Sequence, residues 1–384
     1  MRLVADSGLW STGPLVAPTP LVAVLEVSGA VLSWTIDDPS GTAATQLTFT
    51  DLTRADWLWR LLGESGHVTL AAAVDSAPDE PATIELTGVD LLPGSVDRLR
   101  RLGLGHWLRR WWPASDRDGI AGLDRALLDA EIAVLTAAAQ DFFDDDTLDS
   151  DVGELLAPHG GALAAHVDGK DPRIIELVRA CVDLADEIGA GGLGWSELSA
   201  ALDDSTEPDQ VTRDLVITTG RRDDYALAAG PDKGLPASGA IARGVGSIKW
   251  GAVPPAVFDA AENTVNWTIE VADSAAVAVV RAATSGPDPA AGVAVRLVSG
   301  SVRGAGLLDA DGRARLPLVD AQHRPMTESA AWDHDWPTTA VTIGVDVDET
   351  PDTRERIRHF ARARLDRPAN DAFLAEILAA ESDY

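Results

Sequence analysis

Hydrophobic and polar positions alternate one by one over two stretches near the C-terminus. Val265, Trp267, Ile269 and Val271 alternate with Thr264, Asn266, Thr268 and Glu270, and Val341, Ile343, Val345 and Val347 with Thr342, Gly344, Asp346 and Asp348. A period of two puts one set of side chains in a core and the other in water, which predicts half-buried β-strands. Val277–Arg281, Val293–Leu297 and Gly306–Leu318 add further β-favouring runs. So many short strands at close spacing predict a β-sandwich over 260–349.

Upstream the period changes. Ile174, Leu177, Cys181, Leu184 and Ile188 recur at spacings of three and four, which makes one face of a helix. Asp171 can cap that helix, Pro172 suits its first position and Gly189 its end. Ile120, Leu123, Leu127, Ala130 and Val134 form a second such face. Nearer the N-terminus, short β-favouring runs over 30–36, 46–50, 67–74 and 83–89 are separated by Gly, Pro, Asp and Ser, with a short helix predicted over 51–62. After the strands, Thr350-Pro351 opens a helix, Pro368 ends it, and Phe373 to Leu378 mark another.

The chain thus reads as a multidomain α+β protein. A strand-rich α+β domain covers 1–92, a helical domain 93–215, a loop or linker 216–259, a β-sandwich 260–349 and a helical tail 350–384. Within the sandwich, Gly292-Val-Ala-Val-Arg-Leu297 followed by Leu308-Asp-Ala-Asp-Gly-Arg-Ala-Arg-Leu316 resembles the transthyretin-like, carboxypeptidase-regulatory-like sandwich family. The resemblance covers 260–349 alone and implies an accessory module. The Asp-Ala-Asp-Gly run reads as a turn between two strands. Pro317 implies that the second strand ends at a sheet edge.

Composition narrows the function. The net charge is −30, and the lysines are only Lys170, Lys233 and Lys249. Asp outnumbers Glu, 44 to 17. High Ala, Arg, Asp and Gly with almost no Lys points to a GC-rich bacterial genome of actinobacterial type; a salt-adapted source is the competing reading. Such a charge argues against wholesale nucleic-acid binding and repels an anionic membrane surface. One cysteine, Cys181, excludes an intrachain disulfide and a Cys-based zinc site. No apolar run approaches the ~20 residues of a membrane span. The N-terminus lacks a signal-peptide pattern, so a cytoplasmic location is expected.

Against this acidic background, residues 98–117 carry Arg98, Arg100, Arg101, Arg109, Arg110 and Arg117 with one acid, Asp116, a local charge of 6 − 1 = +5. Trp107, Trp111 and Trp112 are interleaved. Arg and Trp are enriched at binding hot spots. Arg98, Arg101, Trp107, Arg109, Arg110, Trp111 and Trp112 are therefore the candidate surface for a protein partner. The plainer alternative pairs the arginines with the acidic run 141–151 and puts the tryptophans in the core.

The acidic run has six carboxylates in eleven residues, attractive to Ca²⁺, yet it lacks the Gly and Glu of an EF-hand loop. His334, between Asp333 and Asp335, is the one histidine with flanking carboxylates, though a polar inter-strand loop explains it. Gly189–Gly194 lacks the Lys-Ser/Thr of a phosphate loop, and no Gly-x-Ser-x-Gly elbow occurs. Cys181, on an apolar helical face, reads as a core thiol. The expectation is a non-enzymatic scaffold or adaptor of a multi-component bacterial system, binding a protein partner and no cofactor. The alternatives are a metal-assisted hydrolase using the acidic run or His334, and a secreted ligand- or carbohydrate-binding protein.

Overall fold

The structure is a computed structural model that describes residues 1–38, 44–77, 83–190, 192–206 and 240–382. It is an α+β protein. Strands β1 (Arg2–Asp6), β2 (Leu9–Thr12), β3 (Val22–Val27), β4 (Ala30–Thr35), β5 (Gln46–Phe49) and β6 (Thr83–Glu85) form an antiparallel sheet in the order β3-β4-β5-β2-β1-β6. The expected strand at 67–74 is instead the second half of helix α1 (Trp59–Asp75). After a break at Gly63, Gly66 and Leu70 are buried four residues apart, and Ala71 to Ala73 favour helix, which outweighs the local β-branched residues.

Among the described residues six α-helices follow: α2 (Asp97–Trp111), α3 (Arg125–Ala137), α4 (Asp145–Leu156), α5 (Gly160–Val167), α6 (Pro172–Glu187) and α7 (Leu193–Thr206). On α6 the Asp171 carboxylate accepts the Arg173 N–H as expected, and Ile174, Val178, Cys181, Val182 and Ala185 are buried. Ile120 and Leu123 precede α3 rather than lying on it. Helix α2 sits between the sheet and the C-terminal helices. Two glycines allow the close approach: a Cβ on Gly103 would lie 2.9 Å from the Trp34 ring, and one on Gly105 2.7 Å from the Phe373 ring.

The C-terminal strands are β7 (Ala242–Gly246), β8 (Val265–Ala272), β9 (Ala275–Ala282), β10 (Ala294–Ser299), β11 (Val302–Leu307), β12 (Arg313–Val319) and β13 (Ala340–Ile343). They form a nearly closed antiparallel sheet in the order β13-β10-β11-β12-β9-β8-β7. The strands differ from the sequence expectation at three places. The 293–318 unit holds three strands, because β10 turns into β11 at Gly300 before the Asp309–Gly312 turn leads into β12. Pro317 ends nothing: Arg313–Pro317 pair with β9, and Leu318 and Val319 pair with β11. A proline without an N–H fits the point where a strand changes partners. The strand expected over 341–347 stops at Ile343, since Gly344 has φ +79° and a Cβ on it would lie 1.9 Å from the Ala252 carbonyl oxygen.

The expected linker is ordered at its C-terminal end. Residues 242–246 form β7 at the sheet edge and Trp250 is buried; the part over 216–239 lies outside the described residues. Helix α8 (Glu328–Trp332) precedes β13, and α9 (Pro351–Asp366) and α10 (Leu374–Ser382) close the chain. Thr350 caps α9, with Pro351 in its first turn, as expected. One hydrophobic core runs from Leu3 to Ala375 through both sheets and the helices.

Candidate functional site

The Arg/Trp strip is helix α2 and its exit, and the helix distributes the strip around its circumference. Trp107 faces the core, 3% exposed, and donates to the Pro20 carbonyl at 2.7 Å. Arg101 turns toward the C-terminal helices, where it pairs with Glu131 and donates to the Ala372 carbonyl. Burial pushes the Glu131 carboxyl up, although the Leu374 N–H and the Arg101 guanidinium oppose it. Arg98 is exposed. Arg110 donates to the Trp250 and Val253 carbonyls, and its guanidinium stacks 4.2 Å from the Trp111 ring. Burial lowers the Arg110 pKa, with Glu349 acting in the other direction. Trp112 donates to the Ala121 carbonyl at 2.8 Å.

Arg109, Arg110 and Trp112 meet at a cleft of about 790 Å³ between the helices and the C-terminal sheet. The end of α2, the start of α3 and His159 line one wall. The loops Pro254–Val257 and Ser285–Pro289 line the other. At its base is Asp129, whose side chain is 2% exposed. Its Oδ1 accepts Arg109 Nε at 2.9 Å, and its Oδ2 accepts Arg125 Nε at 2.9 Å and bonds His159 Nε2 at 3.0 Å. Burial alone would raise the Asp129 pKa. The His159 hydrogen bond and the Arg125 and Arg109 guanidinium groups outweigh it and hold the carboxyl below its ordinary value.

This arrangement leaves donors over. Among the described residues, Arg109 commits only Nε, and Arg125 commits Nε and one terminal nitrogen, the latter to the Arg109 carbonyl. Asp124, also in the lining, is occupied as the α3 cap and by His166 at 2.7 Å. Ser285 is in the lining, and its buried Oγ has no hydrogen-bond partner among the described residues. Oriented guanidinium N–H groups beside an indole and several prolines can take a carboxylate-bearing segment together with its apolar neighbours.

The sequence pointed to Arg109, Arg110 and Trp112 and missed Arg125, Asp129, His159 and Ser285. The Arg125–Asp129 spacing of four was a readable ion pair. The approach of His159 depends on how α5 packs on α3.

The remaining candidates fall elsewhere. The internal pairing of the strip uses Asp129, Glu131 and Asp371 rather than the 141–151 run. In that run, Asp141 pairs with Arg60 and Asp144 with Arg54. Among the described residues, no three of His, Cys, Asp and Glu converge to hold a metal ion. His334 Nε2 is 2.9 Å from the buried Ser299 Oγ, and its ring packs edge-on against Trp336 at 4.5 Å. Burial pushes the Cys181 thiol up to about 12. No helix among the described residues is long and apolar enough to cross a membrane. No protein-family model, no curated protein and no solved structure matches the chain.

Proposed function

We propose that the chain is a non-enzymatic adaptor of a multi-component bacterial system, and that its cleft receives a carboxylate-bearing segment of a cytoplasmic protein partner. The observation that carries this reading is the pair of arginines fixed on Asp129, both lining the cleft and each with uncommitted donors. Guanidinium groups held in place lose little side-chain freedom when a ligand arrives, so their hydrogen bonds are realised at low entropic cost. Trp112 and the loop prolines add the rigid apolar contact typical of protein recognition. The resemblance of the C-terminal module to transthyretin-like accessory domains agrees with a role in bringing components together.

Selection of displayed acidic and neutral peptides against the folded chain tests the reading. Acidic peptides should be enriched, and Arg125→Gln should weaken the selected ones about tenfold, the loss of one charge-assisted hydrogen bond. Peptides that bind Arg125→Gln as tightly as the unaltered chain, or selection without any acidic preference, would overturn it.

A further inference from the structure

A second site, which shares Arg109 with the arginine cleft, lies along the free edge of β3. This strand ends the N-terminal sheet and pairs on one side only, with β4. The register settles which backbone groups face outward. Val27 and Ala30 flank the two-residue loop Ser28-Gly29 and form the hydrogen-bonded pair that closes the hairpin. Bonded and non-bonded pairs alternate in an antiparallel ladder, so Ala23, Leu25 and Val27 address β4. Val24 and Glu26 then point their N–H and C=O groups away from the sheet, and none of these four groups has a partner among the described residues. The next outward position, Ser28, already donates to the Phe142 carbonyl at 2.9 Å. The edge is therefore closed at the turn and open for two residues before it.

Natural sheets cover or blunt such an edge. Here it forms one wall of a groove of about 600 Å³. The facing wall comes from α2, α3 and α4, with His106, Thr136, Asp151, Glu154 and Leu155. Both outward side chains of the strand, Val24 and Glu26, are exposed. Four carboxylates line the groove, Glu26, Asp144, Asp151 and Glu154, against two guanidinium groups. Arg54 pairs with Asp144 inside the groove, and Arg109 gives its Nε to Asp129, so Glu26, Asp151 and Glu154 face the remaining donors of one guanidinium. Burial and the nearby Arg109 lower the His106 pKa, which disfavours the charged form of this ring.

We infer that this groove is a docking site for an extended, basic segment of a partner protein, which adds to the sheet as a strand beside β3. Backbone hydrogen bonds to Val24 and Glu26 supply the register. Lys or Arg side chains at alternate positions meet Asp151 and Glu154. With an acid-binding cleft and a base-binding edge, the chain would hold two segments of opposite charge.

The test uses the full chain and a fluorescent peptide of alternating Lys and Val, read by anisotropy. The comparison peptides replace Lys by Glu, or carry N-methyl groups on alternate residues so that one edge cannot hydrogen-bond. The Lys peptide should bind at least tenfold more tightly than either. Val24→Pro removes an outward N–H while leaving the β3–β4 bonds in place, and should weaken binding about tenfold, as should Asp151→Asn with Glu154→Gln. Should Val24→Pro fail to fold, the N-methylated peptide carries the same comparison from the ligand side. Failure of the Lys peptide to bind overturns the inference. So does equal binding of the N-methylated peptide, which would leave charge attraction alone. Concentration-dependent dimerisation of the chain that Val24→Pro abolishes would assign the edge to a second copy instead. Arg125→Gln should leave Lys-peptide binding unchanged, so failure here is distinguishable from failure of the cleft.

Discussion

Replacing Asp129 by Asn removes the charge on which the cleft is built while keeping its shape. The carboxylate takes three hydrogen bonds, from Arg109, Arg125 and His159, at 2.9 to 3.0 Å. An amide keeps one acceptor oxygen and turns an NH₂ toward a donor that previously had a carboxylate oxygen. A hydrogen bond to a charged group contributes about 1.5–3 kcal/mol, and removing one partner of a fully buried pair costs about 3–5 kcal/mol. Arg109 and Arg125 are 37% and 41% exposed, so water can solvate their freed guanidinium groups. That places the expected loss near the low end, about 2–3 kcal/mol. Urea denaturation followed by tryptophan fluorescence at pH 7 measures it. The pH dependence supplies a second reading. Asp129 titrates below its ordinary value in the fold, so its contribution is complete above the unfolded carboxylate pKa and is lost as pH falls through the folded one. The gap between the two proteins should therefore narrow below about pH 4. A loss under about 0.5 kcal/mol at pH 7, the size of an ordinary surface change, would refute the account of the cleft as organised by a buried carboxylate.

Other substitutions probe the rest of the structure. Gly105→Ala puts a Cβ 2.7 Å from the Phe373 ring and 2.8 Å from Ile132 Cγ1, so overpacking should outweigh the helix-propensity gain and cost about 1–3 kcal/mol in thermal or urea melts. Burial opposes ionisation of Glu262, but the hydrogen bond from Arg354, with Ser247 and Arg358, lowers its pKa to about 2. Its contribution is thus present above its unfolded pKa and lost as pH falls toward 2. The full displacement is worth roughly 3 kcal/mol, reduced by solvent screening to about 1 kcal/mol, and Glu262→Gln should flatten acid denaturation by that amount between pH 4.5 and 2. Cys181 should resist a thiol reagent at pH 8 until the protein is unfolded, and full labelling of the native chain within minutes would contradict its burial.

What the sequence by itself determined is the periodic part of this protein. Alternation located the C-terminal strands, and the three-four spacing with Asp171, Pro172 and Gly189 located α6, because burial on one face imposes those patterns locally. It misread 67–74 because β-branched residues and a helical spacing of Gly66 and Leu70 occupy the same stretch, and only burial in the core selects between them. The Pro317 reading failed for a related reason. A proline marks a missing N–H, but whether that position is an edge or a change of partners depends on strands far away in sequence. The arginine strip was visible as composition. Its division into core, internal pairs and cleft followed from the rotation of α2 and from the arrival of Asp129, Asp371 and the loops after β7 and β9. The open edge of β3 was beyond sequence altogether: unpaired backbone groups have no residue type, and they exist only once the sheet order leaves that strand last.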